Sequence, residues 1–156
     1  MENESPWYEH LSIPALLRQA RRTYGEAMRA ALEDAGYDDI PANGLYIIGG
    51  LALDDDRIPL RELVKQLGIT KQGAGQLVDA LVMRGYLSRT VDETDRRQLT
   101  IALTERGRAA AEVQTQARDR IDEELLARVD KADVSVTRKV LGTLLLMHRE
   151  EAASAG

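Results

Sequence analysis

The 156-residue sequence contains no cysteine. That excludes a disulfide framework, a thiolate metal site and a cysteine nucleophile or redox switch. Imidazole is scarce: His10 and His148 alone cannot build a histidine-rich zinc site within one chain. No run of about 18 apolar residues is present, so no transmembrane helix is expected. The longest runs, such as Leu144 to Met147, stop far short. The first residues, Met1, Glu2, Asn3 and Glu4, are acidic and polar and do not read as a secretory signal, so a cytoplasmic location is expected. There is no Gly-rich phosphate loop of the required spacing and no nucleophile–base constellation, so neither enzymatic activity nor a cofactor is expected.

What is present suits a folded domain. The chain is 44% hydrophobic and 30% charged, which is neither a disordered tail nor a membrane protein. Its length can bury a core without disulfide or metal staples. Net charge is −5, but the charge is unevenly spread. Residues 57–108 hold ten Lys/Arg against six Asp/Glu, a balance of +4, while the rest carries −9. A basic middle with acidic flanks is the footprint of a nucleic-acid-reading core with separate assembly helices. Chance unevenness gives the same numbers, so charge alone does not decide.

Hydrophobic spacing supplies the elements. Residues 1–11 read as a loose arm carrying Trp7 and Tyr8. Ser12 is a good N-cap for a helix whose apolar positions, from Ile13 through Leu16, Leu17, Ala20, Tyr24, Ala27, Met28 and Ala31 to Leu32, recur at three and four. Gly36 ends it. Pro41 to Leu53 reads as a second, apolar helix, weakened by Gly49 and Gly50. Asp54, Asp55 and Asp56 form an acidic turn without the alternating ligands and later Glu of a calcium loop. Pro59 to Leu67 predicts a short helix, Gly68-Ile69 a tight turn, and Thr70 the cap of a helix running to about Arg84.

Gly85 ends that helix. Leu87–Thr90 and Gln98–Leu103 predict two strands, the second alternating cleanly with Leu99, Ile101 and Leu103 on one face. Thr104 and Glu105 open a long helix to about Val129. Asp133 caps a last one to about Glu150, expected to bury Val134, Val140, Leu141, Leu144, Leu145 and either Met147 or His148. The fold class is therefore mainly α with a small β-hairpin wing.

Two helices joined by a tight turn make a helix-turn-helix, and the hairpin after them makes a wing. In such motifs the first residues of the second helix reach base edges in the major groove. Here they are Thr70, Lys71, Gln72, Ala74 and Gln76. Gln can read adenine with paired hydrogen bonds, and Lys can reach guanine or phosphate. Gly73 and Gly75 each cost about 1 kcal/mol in a helix. Either their bare backbone permits close approach to DNA, or packing simply tolerates them. At the hairpin tip Arg96 and Arg97 suit a narrow, electronegative minor groove, and Asp95 can fix the aim of one guanidinium. Alone, the same tip also reads as a solvated charge cluster.

The stretch Asp95-Arg96-Arg97-Gln98-Leu99-Thr100-Ile101-Ala102-Leu103-Thr104-Glu105-Arg106-Gly107 resembles the signature of the multiple-antibiotic-resistance regulator (MarR) family: Asp-x-Arg, five residues, Leu-Thr, two residues, Gly. Residues 63–87, with Leu-Gly-Ile-Thr-Lys-Gln and Leu-Val-Asp-Ala-Leu-Val-Met-Arg-Gly-Tyr-Leu, resemble that family's helix-turn-helix. The resemblance implies a winged helix-turn-helix regulator, a repressor acting as a homodimer on double-stranded, pseudo-palindromic operator DNA. It implies a dimerisation region over 12–35 and 109–150, a DNA-binding region over 41–108, and one compact chain. It places the minor-groove arginine at Arg97, helped by Arg96, and the base readers within 70–76. It also implies release by a small aromatic or phenolic effector, with Tyr24, Tyr46, Trp7 and Tyr8 as candidate lining and Arg22 or Arg18 for an anionic group. Ordinary core packing accounts for the same tyrosines. A winged-helix protein–protein scaffold that does not read DNA is the alternative, motivated by the acidic balance and the two helix glycines.

Overall fold

The computed structural model describes residues 6–53, 55–91 and 99–154, with side chains described up to residue 147. The chain forms two compact units, residues 1–118 and 119–156.

In the first unit, residues expected to form a loose arm contain a 3-10 turn, Trp7–His10, before helix α1 (Ile13–Asp34). Ser12 caps α1 through its carbonyl, which accepts from Leu16 at 3.0 Å, and not through its side chain. Helix α2 spans Gly44–Ala52 and starts three residues later than expected. Pro41 to Gly44 is instead closed as a turn, by the Gly44 N–H on the Pro41 carbonyl at 2.7 Å. Gly49 lies within α2, and the Gln114 side chain occupies the space where a Cβ would stand. Then come β1 (Arg57–Pro59), α3 (Leu60–Leu67), α4 (Lys71–Met83), β2 (Leu87–Val91), β3 (Leu99–Leu103) and α5 (Glu105–Leu126).

The expected two-stranded hairpin is the larger part of a three-stranded antiparallel sheet in the order β1-β3-β2. The added strand pairs Arg57 with Ala102 and Pro59 with Thr100, so Pro59 belongs to a strand and α3 starts at Leu60. Proline is tolerated there because β1 is an edge strand. Ile101, on the middle strand, is fully buried. Around it pack Leu45, Ile47, Ile48, Leu63, Val78, Leu81, Tyr86, Leu87 and Leu103. Each large side chain so buried contributes roughly 1.5–3 kcal/mol.

In the second unit the end of α5 is followed by α6 (Lys131–Ser154). Asp133 lies in the first turn of α6 and not at its cap. The expectation that α6 buries its apolar face fails within the chain. Val140, Leu144, Leu145 and Met147 are all exposed, and Val134 and Leu141 only half-buried. The stripe lies where the period puts it, and its described side chains stand exposed. His148 lies outside the described side chains. Among the described residues no helix is long and apolar enough to cross a membrane.

Candidate nucleic-acid interface

Helix α3 turns its leucine side inward, with Leu63 buried. It stops at Gly68, whose φ of 61° is left-handed and which glycine reaches without strain. Two residues on, Thr70 is extended (φ −61°, ψ 150°) and its Oγ1 accepts from the Gly73 N–H at 3.1 Å. That bond satisfies one of the free donors at the start of α4. Losing it in Thr70→Ala is expected to cost about 1 kcal/mol. The thermal midpoint should then fall by about 2–4 °C, which calorimetry will register.

Helix α4 has two distinct sides. Ala74, Val78 and Leu81 point into the core and are fully buried. Thr70, Lys71, Gln72, Gln76, Asp79 and Met83 are exposed. Ala74 therefore offers no surface to a ligand, which corrects its place among the base-reading residues. The helical period puts it four residues before Val78, on the inward side. Gly75 takes its position on the outer side: a Cβ there would meet nothing within 4 Å. Packing thus makes no demand for glycine at 75, whereas a Cβ at Gly73 would press on the Thr70 hydroxyl at 3.2 Å.

Asp79, on the outer side of α4, is ion-paired with Arg89 on β2. This pair joins the candidate reading helix to the root of the wing. The wing tip, including Asp95, Arg96 and Arg97, lies outside the described residues.

The wing root is tied to α5 by the Leu103-Thr104-x-x-Gly107 part of the signature. Thr104 donates its hydroxyl toward the Gly85 and Tyr86 carbonyls at 2.5 and 3.0 Å. Its oxygen accepts from the Gly107 N–H at 3.0 Å. The backbone of Tyr86 runs against Gly107 so closely that a Cβ would stand 2.1 Å from the Tyr86 carbonyl oxygen.

Two cavities flank Tyr46. The larger, about 360 Å³, is lined by Arg21, Tyr46, Ile47, Gly50, Leu51, Ile58, Leu63, Gln66 and Leu67. Arg21 lies over the Tyr46 ring, 4.1 Å from its centroid. The smaller, about 190 Å³, holds Arg22, Gly25, Glu26, Arg29 and the other side of Tyr46. Arg22 there is bonded to Glu26 at 2.6 Å, which raises its already high pKa. Of the residues named for an effector, Tyr46 thus lines both cavities and Arg22 the smaller. Tyr24 and Trp7 line neither, and Trp7 is largely exposed. Arg21, absent from the residues expected to hold an effector, faces the larger cavity. No spacing in the sequence singles it out, because its partner Tyr46 comes from α2.

A family model described as the MarR family matches residues 39–98. No curated protein matches the sequence. Among solved structures, Streptococcus pneumoniae FabT in complex with DNA is 19% identical with a TM-score of 0.73, covering 88% of this chain and 96% of FabT. A mutant MarR from E. coli complexed with operator DNA is 21% identical with a TM-score of 0.69, covering 90% and 99%. Bordetella bronchiseptica BpsR, whose DNA binding is regulated by 6-hydroxynicotinic acid, is 20% identical with a TM-score of 0.65, covering 90% and 97%. These likenesses establish the fold: a winged helix of the MarR type.

Proposed function

We propose that this chain is a regulator of the MarR type, a homodimeric repressor that binds a pseudo-palindromic operator in double-stranded DNA. The observation that carries the reading is the outer side of α4. Lys71, Gln72 and Gln76 stand exposed at the capped end of a helix whose opposite side is wholly buried. A scaffold needs the same buried side but not an amide- and ammonium-bearing outer one. Gln72 and Gln76, one turn apart, suit adenine edges, and Lys71 suits guanine or phosphate. Two such helices in a dimer would sit about 34 Å apart, one DNA turn.

Repression follows from operator occupancy, which excludes polymerase, and the protein acts in the cytoplasm without catalysis. The wing arginines complete the reading: Arg97 enters the minor groove, with Arg96 and Asp95 in support. Arg97→Ala is expected to weaken operator binding about 10- to 100-fold, the usual worth of one good groove contact. Fluorescence anisotropy measures this, and unchanged affinity would remove Arg97 from the interface. A scaffold instead predicts no affinity for any duplex, even at low salt.

An effector site is supported by the larger cavity. Its walls combine aliphatic side chains with the polar groups of Arg21, Gln66 and Tyr46. That combination suits a small hydroxylated aromatic acid, of the kind that regulates BpsR. Occupancy must favour one dimer spacing over another to release DNA.

A further inference from the structure

Helices α1 and α4 end in the same way. After α1, the Gly36 and Tyr37 N–H groups bond to the Glu33 and Leu32 carbonyls. After α4, the Gly85 and Tyr86 N–H groups bond to the Val82 and Leu81 carbonyls. Both are Schellman ends, with glycine left-handed at φ 84° and 78°. Each is followed by a tyrosine, and the two rings meet edge to face, 6.2 Å between centroids.

A third helix end closes on them. Arg106, in the first turn of α5, lies over the Tyr86 ring at 4.5 Å and donates to the Tyr86 hydroxyl at 3.0 Å. It also donates to Asp39 at 3.2 Å. The Tyr86 hydroxyl donates to the same Asp39 oxygen. That bond, then Arg106, holds Asp39 below the usual carboxylate range, while burial and Asp39 push the Tyr86 phenol up. The Tyr86 ring is fully buried, but Asp39 and Arg106 are each 40–46% exposed. The ring belongs to the core, and the two charged groups that hold it stand at the surface.

We propose that Asp39, Tyr86 and Arg106 form a positioning lock that fixes the angle of the reading helix relative to α1 and the start of α5, and so sets the half-site spacing the dimer accepts. The proposal rests on the DNA-reading function above. Its leverage is geometric. The 13 residues of α4 span about 20 Å. The lock holds one end, and Lys71 and Gln72 lie at the other. A tilt of about 10° at the lock moves the far end by about 3 Å, close to the 3.4 Å rise of one base pair. Arg106 is a positioning residue and touches no DNA. It acts through Tyr86, the residue two positions after the last turn of α4 closes.

The test uses full-length protein and a site selected from a random duplex library by the wild type. That site is remade with one base pair added or removed between half-sites. Affinities for the three duplexes are then measured for wild type, Tyr86→Phe, Arg106→Met and Asp39→Asn. Tyr86→Phe removes only a hydroxyl, so it keeps the proposal testable if a charge variant fails to fold. Each folded variant is expected to lose about fivefold or more of the wild-type preference for its own spacing. A residue that only stabilises the fold lowers the melting temperature and leaves that preference alone. Variants that discriminate among the three duplexes as the wild type does overturn the lock. If the wild type selects no site, the DNA reading fails first, and the lock with it, before any variant is compared.

Discussion

Replacing Val140 and Leu144 together with glutamate is expected to leave the protein monomeric and to cut operator affinity roughly a thousandfold, the lower end of the gap between specific and non-specific binding. The physical reason is the uncovered face of α6. Val136, Val140 and Leu144 recur every four residues with 59, 46 and 42% of their surface exposed, and Met147 continues the row. Leu145 and Leu146 widen it. A soluble chain rarely leaves such a patch in water, and one of this length marks an interface. Helix α1 independently exposes Ile13, Leu16 and Leu17. Two buried glutamates per chain carry a desolvation cost with no partner to offset it. Analytical ultracentrifugation gives the mass, and anisotropy the affinity. A variant that stays dimeric assigns the stripe to another partner.

Gly107→Ala is expected to destabilise the fold by about 3 kcal/mol or more, lowering the melting temperature by about 10 °C. The new methyl would meet the Tyr86 carbonyl oxygen at 2.1 Å and the Leu103 side chain at 3.0 Å. The carbonyl cannot retreat freely. It accepts from both the Thr104 N–H and the Thr104 hydroxyl, each at 3.0 Å. Relief therefore breaks the tie between wing root and α5, or moves α5 away from a packed core. Urea denaturation measures the loss, and a midpoint equal to wild type would contradict the close approach. This is also a physical account of the Leu-Thr-x-x-Gly signature: threonine caps α5 and holds the preceding turn, and glycine lets that turn lie against the helix.

The elements that local chemistry specifies were legible. Gly68 and Thr70 bracket the turn of the helix-turn-helix, and Leu99, Ile101 and Leu103 alternate as a strand should. Strand β1 was not legible. Arg57-Ile58-Pro59 has no alternation, and it becomes a strand only because the edge of β3 is open beside it. The outer residues of α4 followed from its helical period, which also contains the correction to Ala74. The period of α6 shows which side is apolar and not what covers it. Asp39, Tyr86 and Arg106 were invisible as a group, since 67 residues separate the two charged members. Only the convergence of three helix ends brings them together.

Sequence-specific DNA reading by this winged helix underlies every expectation above. It is tested most directly by titrating the protein against the DNA flanking its own coding region, with random duplex as competitor. Binding is expected to survive the competitor, saturate at one dimer per site and weaken steeply with salt as phosphate contacts release counterions. Failure to bind any duplex even at low salt would contradict it and turn the outer side of α4 into a surface for a protein partner.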